Sequence, residues 1–384
     1  MEIRVLFDHQ AFMRTRYSGI PTYFAELIHT FYINNMVHVS LADSYCMNVD
    51  YQNLFPSKKG SFSWKYQEYV YSHCQKLTGI NPSSYLQATR KNDIDLLNSG
   101  DFDVFHPTFF DPYFLKHLHG KPFVLTIHDL SQELYPEYAP LTVTMPRDTE
   151  SLVSHASRFI AVSKSTKNMF VEYYGVDADL VDVVYLGPTF NKDTIISRVY
   201  NIHQGSKPYL LFVNIRGGRK NTYTCLAVLK KLIIEYNLDV VCAGGGSFSK
   251  EEIIFFQNHG IADRMYQYSV NDTQLAGLYK GALAFVHPSV HEGFGFPILE
   301  AFACGCPVIL SNASCFPEVG GDAAVYFDPK SVQSIRDAVY RVLYDDKLRN
   351  TMICNGYQQL KKFSWDKCAE ETKNVYLKVL SDSK

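Results

Sequence analysis

The sequence predicts an α/β protein made of two domains, each a parallel β-sheet covered by helices. Along the whole chain, short β-rich runs alternate with segments of helical periodicity, as expected of strands joined by helical crossovers. The length of 384 residues exceeds what one ordinary hydrophobic core covers. A polar stretch without strong periodicity, 188–207, separates two series of this alternation. We therefore place the first domain at 1–195 and the second at 196–365, and we expect a C-terminal helix, 366–384, to pack back on the first domain.

The two series of elements can be read from apolar periodicity. In the first half, six runs are predicted to be strands: 3–7, 37–41, 104–106, 123–127, 159–162 and 181–185. A helix is predicted after Gly19 and Ile20, because Pro21 suits a first helical turn and large apolar residues follow at helical spacing. In the second half, we predict strands at 209–213, 239–243, 282–287 and 308–310, a helix at 221–236 and a closing helix at 365–380.

Composition is typical of a soluble globular protein. Hydrophobic residues make up 46% of the chain and charged residues 20%, and the net charge of −2 does not favour a nucleic-acid partner. The nine cysteines form no Cys-x-x-Cys pair, which favours a reducing compartment. The N-terminus resembles no secretory signal, and no apolar run approaches the roughly 20 residues of a spanning helix. We expect a cytoplasmic protein, with a peripheral position at the inner face of the membrane left open.

Residues 51–98 interrupt the α/β rhythm and read as an insertion of irregular helices. The segment is locally basic, with aromatic residues between the cations: Lys58, Lys59, Lys65, Lys76, Arg90 and Lys91. A solvated surface is the simpler interpretation. The alternative is a docking surface for an anionic membrane or a lipid-linked acceptor.

The most informative segment is a glycine-containing loop between a buried strand and a helix. The loop includes Phe294, Gly295 and Phe296, and Pro297 marks the first turn of the helix that Gly305 closes. The backbone N–H groups of residues 294–296 therefore lie near a helix N-terminus. Such a terminus has unpaired donors and a partial positive charge, so it suits a phosphate group.

Two glutamates bracket this loop. Glu292 precedes the helix and Glu300 lies about one turn inside it. Helical side chains tilt toward the N-terminus, so the Glu300 carboxylate points back to the mouth of the site, where it could accept hydrogen bonds from ribose hydroxyls. A capping-box role for Glu300 is disfavoured. The glutamate of a capping box is the third helical residue and has a Ser or Thr cap, whereas Glu300 is the fourth residue after a start at Pro297, and Phe296 is a poor cap.

A second cluster follows the strand at 209–213. Arg219 and Lys220 come after a flexible turn and directly before a helix. A strand, a turn, two cations and a helix N-terminus together predict a cradle for a diphosphate. In the first half, His128 and His106 each lie at the end of a predicted strand, where ligands bind in open α/β sheets.

These motifs resemble those of a known enzyme family. The stretch 287–328, including Pro317-Glu318-Val319-Gly320-Gly321-Asp322, resembles the donor-binding segment of retaining glycosyltransferase family 4. Arg219-Lys220-Asn221 resembles that family's phosphate motif. In the first half, 125–130 resembles the strand that ends at the family's histidine, and Gly19-Ile20 resembles its first glycine loop. The stretch Ala161-Val162-Ser163-Lys164-Ser165 also fits the family. One departure lies in the first glycine loop, where Thr22 replaces an arginine that is common in related members.

The resemblance implies a GT-B fold, in which two Rossmann-like domains face each other across a nucleotide-sugar cleft. It implies that the nucleotide binds the second domain and the acceptor binds the first. The residues that it assigns to nucleotide-sugar binding are Gly19 of the first domain and, in the second domain, Arg219, Lys220, Phe294, Gly295, Phe296 and Glu300. By the same resemblance, the residues that act on the reacting groups are His128, Glu292, Arg219 and Lys220. His106 is expected to face the acceptor.

The expected activity is retaining, metal-independent transfer of a hexose from a nucleotide diphosphate sugar to a glycan or lipid-linked saccharide. Mannose from GDP-mannose is the first choice of donor, and no cofactor is expected. Three Asp-x-Asp triplets could bind a metal, but they look like surface acids: Asp93/Asp95, Asp101/Asp103 and Asp177/Asp179. The alternatives are a nucleotide-sugar epimerase of the same fold and a non-catalytic nucleotide-sugar-binding protein.

Overall fold

The computed structural model of the protein describes residues 2–13, 18–41, 48–55, 82–138, 148–190, 202–203, 205 and 207–382. Most of the predicted linker and the stretch 56–81 lie outside these residues. The membrane-docking alternative for the basic insertion therefore concerns residues that lie largely outside the described chain. Four of its six cations lie in the stretch 56–81: Lys58, Lys59, Lys65 and Lys76. The described part of the insertion contains a regular helix over 82–99 rather than an irregular one.

The first half forms a parallel sheet whose strands match the predicted runs to within two residues. The strands are β1 (Arg4–Phe7), β2 (His38–Leu41), β3 (Val104–His106), β4 (Val124–Ile127), β5 (Arg158–Ala161) and β6 (Val181–Val183). The hydrogen-bonded orders are β2-β1-β3 and β4-β5-β6, and a parallel bridge between Phe105 and Phe123 joins the two groups. All described pairings in this half are parallel.

The second half forms a six-stranded parallel sheet. Its strands are β7 (Tyr209–Val213), β8 (Asp239–Ala243), β9 (Met265–Tyr268), β10 (Ala284–His287), β11 (Val308–Ser311) and β12 (Ala324–Phe327). Their order is β12-β11-β10-β7-β8-β9, the doubly wound arrangement of nucleotide-binding domains. Strands β9 and β12 escaped the sequence analysis because both are edge strands with partly exposed side chains, so neither reads as a buried apolar run.

Helices cover both sheets. In the first half they are α1 (Gly19–Ile33), α2 (Val49–Leu54), α3 (Pro82–Ser99), α4 (Ser131–Leu134), α5 (Thr149–His155) and α6 (Lys164–Tyr174). In the second half they are α7 (Thr222–Glu235), α8 (Lys250–Asn258), α9 (Asp272–Gly281), α10 (Phe296–Ala303), α11 (Phe316–Gly320), α12 (Val332–Tyr344), α13 (Asp346–Leu360) and α14 (Trp365–Asp382). None of the helices that the structure describes is both long and apolar enough to cross a membrane.

The hydrophobic core joins the two halves of the chain. One cluster of buried side chains includes Phe24 from α1, Phe294 from the loop after β10 and Tyr376 from α14. Two further clusters each lie within one half. The contact between the halves is therefore a packed apolar interface, which fixes the strand-end loops of the two sheets relative to each other.

The last helix, α14, packs against the first half. It contacts α1 along its length, and Asn34 Nδ2 donates a hydrogen bond of 2.9 Å to Asp366 Oδ1. Near the other end, Lys378 Nζ lies 2.5 Å from Asp182 Oδ1. The chain thus returns to the first half after completing the second sheet. The extents of the two domains stay a prediction.

Candidate active site

The second sheet reverses its strand order between β7 and β10, because β8 and β9 lie on one side of β7 and β10 to β12 on the other. Ligands of open parallel sheets bind at such a point, outside the carboxyl ends of the strands. The loop after β7 carries Arg219 and Lys220, and the loop after β10 carries Glu292. The two loops are directly bonded, since the N–H of Val290 donates to the carbonyl of Arg219 at 2.9 Å. The predicted diphosphate cradle and the predicted glutamate loop therefore meet at one point.

Local backbone geometry explains why the two cations lie at this point. Arg219 and Lys220 form a 3-10 turn, Gly218–Lys220, directly after the loop that follows β7. Asn221 then adopts a left-handed conformation, with φ 56°, and turns the chain into α7. Asparagine tolerates that conformation better than most residues. Both cations are thereby presented just before the N-terminus of a helix.

Glu292 is held by three side chains. Lys220 Nζ lies 2.5 Å from its Oε1, Arg219 Nη1 lies 3.1 Å from its Oε2, and His287 Nε2 lies 3.3 Å from its Oε1. Arg219 Nη1 also donates to the carbonyl of His291 at 2.6 Å, which closes the loop around the carboxylate. Both cations that the sequence assigns to a diphosphate are thus occupied by an anion of the protein.

The charge state of this cluster follows from its burial and its partners. Burial raises the pKa of Glu292, but Lys220, His287 and Arg219 outweigh that effect and hold the pKa well below the ordinary value. Burial lowers the pKa of His287, in spite of the nearby carboxylate, so this imidazole is neutral at pH 7. At neutral pH the cluster therefore holds two cations and one anion.

The helix that follows the glutamate loop begins as the glycine and proline positions predict. Gly295 has φ 100°, a conformation that only glycine adopts readily, and α10 starts at Phe296 with Pro297 in its first turn. The Phe296 ring lies next to Gly19 at the start of α1, because a Cβ built on Gly19 would be 3.6 Å from it. The N-terminus of α10 thus lies beside the glycine loop of the first half.

Glu300 lies inside α10 and is buried, with 8% of its surface exposed. Two hydroxyl groups donate to its carboxylate: Tyr279 Oη to Oε2 at 3.0 Å, and Thr189 Oγ1 to Oε1 at 2.8 Å. Thr189 belongs to the stretch that connects the two halves. The carboxylate is therefore arranged to accept hydrogen bonds from hydroxyl groups, as the predicted ribose contact requires, although here the donors belong to the protein.

His128 directly follows β4. Its ring packs edge-on against Tyr23, with centroids 5.1 Å apart, and against Phe24, at 5.7 Å. Its backbone carbonyl lies directly against Gly293, where a Cβ would come within 1.6 Å of the oxygen. Only glycine fits at this crossing. The predicted histidine and the predicted glutamate loop are thus in contact across the cleft.

His106 is fully buried. Its Nδ1 lies 2.7 Å from Tyr376 Oη and its Nε2 lies 2.8 Å from Thr126 Oγ1. Burial, with a smaller contribution from His128, lowers the pKa of His106 to about 3. Both ring nitrogens are engaged inside the protein, so this conformation offers neither of them to an acceptor. The acceptor contact of His106 stays a prediction that this geometry does not favour.

Four further residues of the site received no role in the sequence analysis, although His287 and Asp129 lie in the stretches that resemble the family. His287 contacts Glu292, and Tyr279 and Thr189 contact Glu300, as described above. Asp129 Oδ2 lies 3.9 Å from Arg219 Nη2 across the cleft. His287 and Asp129 could have been suspected because they lie at strand ends. Tyr279 is one of several aromatic residues at helical spacing, and Thr189 falls in the polar linker.

Two of the three acidic triplets have side chains engaged in ion pairs. Asp101 and Asp103 pair with Arg4, and Asp95 pairs with Lys91. Within the described part of the chain, no three His, Cys, Asp or Glu side chains are grouped so as to hold a metal ion. The metal requirement itself is untested by these observations.

Comparison with known proteins gives family matches in both halves of the chain. The family model described as Glycosyl transferases group 1 matches residues 194–359, and the model described as Glycosyltransferase Family 4 matches 55–188. O-antigen chain mannosyltransferase B of Escherichia coli is 30% identical over 288 residues, which cover 71% of this chain and 74% of that protein.

Solved structures share the fold at low sequence identity. Sucrose-phosphate synthase from Thermosynechococcus elongatus superposes with a TM-score of 0.69 at 16% identity, and the match covers 100% of both chains. Anabaena Alr3699/HepE, solved in complex with UDP and glucose, gives a TM-score of 0.65 at 15% identity over 97% of this chain and 99% of that one. The architecture is that of the GT-B glycosyltransferases. The chain belongs to glycosyltransferase family 4, and it is a glycosyltransferase.

Proposed function

We propose that the protein is a metal-independent, retaining hexosyltransferase that uses a nucleotide diphosphate sugar, with GDP-mannose as its preferred donor. The acceptor is a glycan or a lipid-linked saccharide. The observation that carries this proposal is the pair of cations, Arg219 and Lys220, at the switch point of the second sheet. Such a pair supplies the positive charge that a metal ion supplies in other transferases.

The donor diphosphate takes the position that the Glu292 carboxylate now occupies beside the two cations. An incoming anion with more charge competes with Glu292 for Arg219 and Lys220. Each ion pair that it forms with one of these cations replaces that cation's ion pair with Glu292. Glu292 is then free to contact hydroxyls of the hexose or to stabilise positive charge at its anomeric carbon. Glu300 binds the ribose, and a ribose hydroxyl takes the place of the Thr189 hydroxyl as a donor to its carboxylate.

In the reaction, the bond between the anomeric carbon and the diphosphate oxygen breaks, and its electron pair goes to that oxygen. The acceptor hydroxyl bonds to the anomeric carbon on the same face, and its proton passes to the departing phosphate. Arg219 and Lys220 stabilise the charge that develops on the diphosphate, and one well-placed donor of this kind contributes about 3 kcal/mol. His128, from the first half, hydrogen-bonds the hexose near the reacting carbon.

Two findings support the choice of substrates. The similar Escherichia coli protein is described as an O-antigen chain mannosyltransferase, which favours mannose as the sugar and a glycan chain as the acceptor. The UDP and glucose complex of the Anabaena neighbour makes a UDP-hexose the second choice. With such an acceptor, we place the protein in the cytoplasm, peripherally at the inner face of the membrane. In this arrangement residues 1–195 bind the acceptor and 196–365 bind the nucleotide.

A panel of nucleotide sugars tests the proposal. Thermal shift with GDP-, UDP- and ADP-sugars identifies the bound donor, and incubation with a saccharide acceptor followed by NMR of the product reports transfer and anomeric configuration. We expect the largest stabilisation from GDP-mannose and a product with the configuration of the donor. An inverted product contradicts the retaining mechanism. Conversion of the donor sugar without an acceptor indicates an epimerase, and binding without any turnover indicates a non-catalytic protein.

A further inference from the structure

Two sequence motifs that the proposed reaction does not use meet across the cleft. The first, residues 161–165, leads into α6 in the first half, and the second, residues 317–322, contains α11 in the second half. Glu318 of the second motif accepts a hydrogen bond from the backbone N–H of Lys164 at 2.8 Å through Oε1, and one from the N–H of Ser165 at 3.3 Å through Oε2. These donors and their acceptor are more than 150 residues apart in sequence.

The contact completes the N-terminus of α6. A helix leaves its first N–H groups without intrahelical partners, and α6 has only one of them satisfied locally, by Ser163 Oγ, which accepts from the N–H of Thr166 at 3.0 Å. The two preceding N–H groups are satisfied by Glu318, whose negative charge also suits the positive end of the helix. The first half thus takes part of its helix cap from the second half.

Two neighbouring contacts fasten the glutamate loop to the same helix end. The hydroxyls of Ser163 and Thr166 donate to the carbonyl of Gly293, at 2.8 Å and 3.2 Å. Gly293 directly follows Glu292 and lies against the His128 carbonyl. Glu318 is also held by Tyr185, which follows β6 in the first half, because Tyr185 Oη donates to its Oε1 at 2.5 Å. Burial and this carboxylate raise the pKa of Tyr185, so the phenol remains a donor at neutral pH.

We propose that Glu318 is a positioning residue for the transferase reaction, which docks the N-terminus of α6 and thereby sets the glutamate loop against His128. The proposal rests on the proposed function, because its kinetic consequence requires transfer. Glu318 belongs to α11, outside the loops that carry the cations, and acts on the reaction only through the docking of the two halves. Loss of this docking displaces the loop at Gly293 relative to the first half, and such a displacement reduces turnover more than donor binding.

The experiment compares Glu318→Ala and Glu318→Gln with Glu172→Ala, a control that removes an exposed glutamate from the same helix, α6. We expect Glu318→Ala to lower kcat about tenfold or more and to change the donor dissociation constant by no more than about twofold. Glu318→Gln, which keeps one acceptor oxygen and loses the charge, is expected to fall between Glu318→Ala and the unsubstituted protein. Glu172→Ala is expected to leave both constants unchanged.

Hydrogen–deuterium exchange provides a readout that needs no activity. The amides of Lys164 and Ser165 are expected to exchange faster in Glu318→Ala, while those of the last turns of α6 keep their protection. Unchanged exchange at these two amides, or an unchanged kcat with accelerated exchange, overturns the proposal. If the exchange responds as expected but the unsubstituted protein transfers no sugar from any donor, the proposed function fails and the docking contact stands.

Discussion

The polar side chains in the strand-end loops of the two sheets differ in their exposure. In the second half, Arg219, Lys220 and Glu292 form an ion-paired cluster at the cleft, with 12–21% of each side chain exposed. In the first half, Asp8 follows β1 and is fully enclosed. It accepts from the Thr108 N–H at 2.9 Å and from other neighbours, and burial raises the pKa of its carboxyl.

Partly exposed ion pairs, as in the second half, can be exchanged for contacts to a ligand, whereas enclosed hydrogen bonds, as at Asp8 in the first half, cannot. Arg219 and Lys220 of the second half are balanced by the Glu292 carboxylate, which the donor diphosphate replaces in the function that we propose. Asp8 and His106 of the first half are committed to internal hydrogen bonds, and breaking one leaves a buried group unsatisfied at a cost of about 1–3 kcal/mol. The second half is therefore suited to a charged ligand, whereas the first half acts on it through a few residues at the boundary, such as His128 and Gly19.

The largest expected effect comes from the cation cluster. Lys220→Ala should lower kcat/KM about 100-fold or more, because the ammonium both binds the ground-state diphosphate and stabilises the leaving charge. Steady-state kinetics with varied donor measure the change. Lys231→Ala, which removes an exposed lysine from α7, is the matched control. Equal kcat/KM in the two variants would remove Lys220 from the diphosphate site.

A smaller effect is expected where the second half binds the ribose. Glu300→Gln should weaken donor binding about tenfold, because it replaces charge-assisted hydrogen bonds with neutral ones. Thr189→Val removes the internal hydroxyl that occupies the same carboxylate, so donor affinity should be retained or improved. Isothermal titration with GDP and GDP-mannose compares the two variants. A tenfold loss in Thr189→Val would show that Thr189 itself contacts the donor.

The first half should respond to pH through stability rather than through donor binding. His106 has a folded pKa of about 3, against 6.5 for a free imidazole. Between these two pKa values, His106 is protonated in the unfolded chain but not in the native protein. The contribution of neutral His106 to the free energy of unfolding is therefore fully present above pH 6.5 and decreases as the pH is lowered. At pH 5 the loss from this residue is about 2 kcal/mol.

Thermal unfolding at pH 7.5 and pH 5 measures this loss. His106→Gln is expected to start from a lower Tm at pH 7.5, since it disturbs the contacts to Tyr376 and Thr126, but to lose less on acidification than the unsubstituted protein. The same Tm difference between the two pH values in both proteins would contradict a neutral buried His106.

The smallest expected effect is that of a chelator. If Arg219 and Lys220 supply the charge that stabilises the leaving diphosphate, EDTA should change the transfer rate by less than about twofold. A rate that EDTA abolishes and Mn²⁺ restores would instead assign the acidic side chains of the chain a metal-binding role.

Much of this architecture could be predicted, because buried parallel strands read as continuous apolar runs. The edge strands β9 and β12 could not, since partial exposure removes that signal. The two loops that meet at Glu292 could be singled out from local spacing, because a helix N-terminus follows each of them. The ion pairs of Glu292 with Arg219 and Lys220 could not be predicted from that spacing. The partners of Glu300 and Glu318 depend on how the two halves pack, and no pattern in the local sequence encodes a contact between Glu318 and Lys164. His106 shows the converse limit, because a strand end alone does not tell whether a side chain faces the cleft or the core.

The most direct test of the proposed division between the two halves is His128→Ala, measured for both donor affinity and turnover. Isothermal titration with the donor identified by the panel gives the dissociation constant, and saturating steady-state kinetics give kcat. His155→Ala, an exposed histidine at the end of α5, is the control. We predict that His128→Ala lowers kcat about 100-fold, because a contact to the reacting sugar is lost, and leaves donor affinity within about twofold, because the second half holds the nucleotide. Normal turnover in His128→Ala, or loss of donor binding comparable to that of Lys220→Ala, would contradict this account.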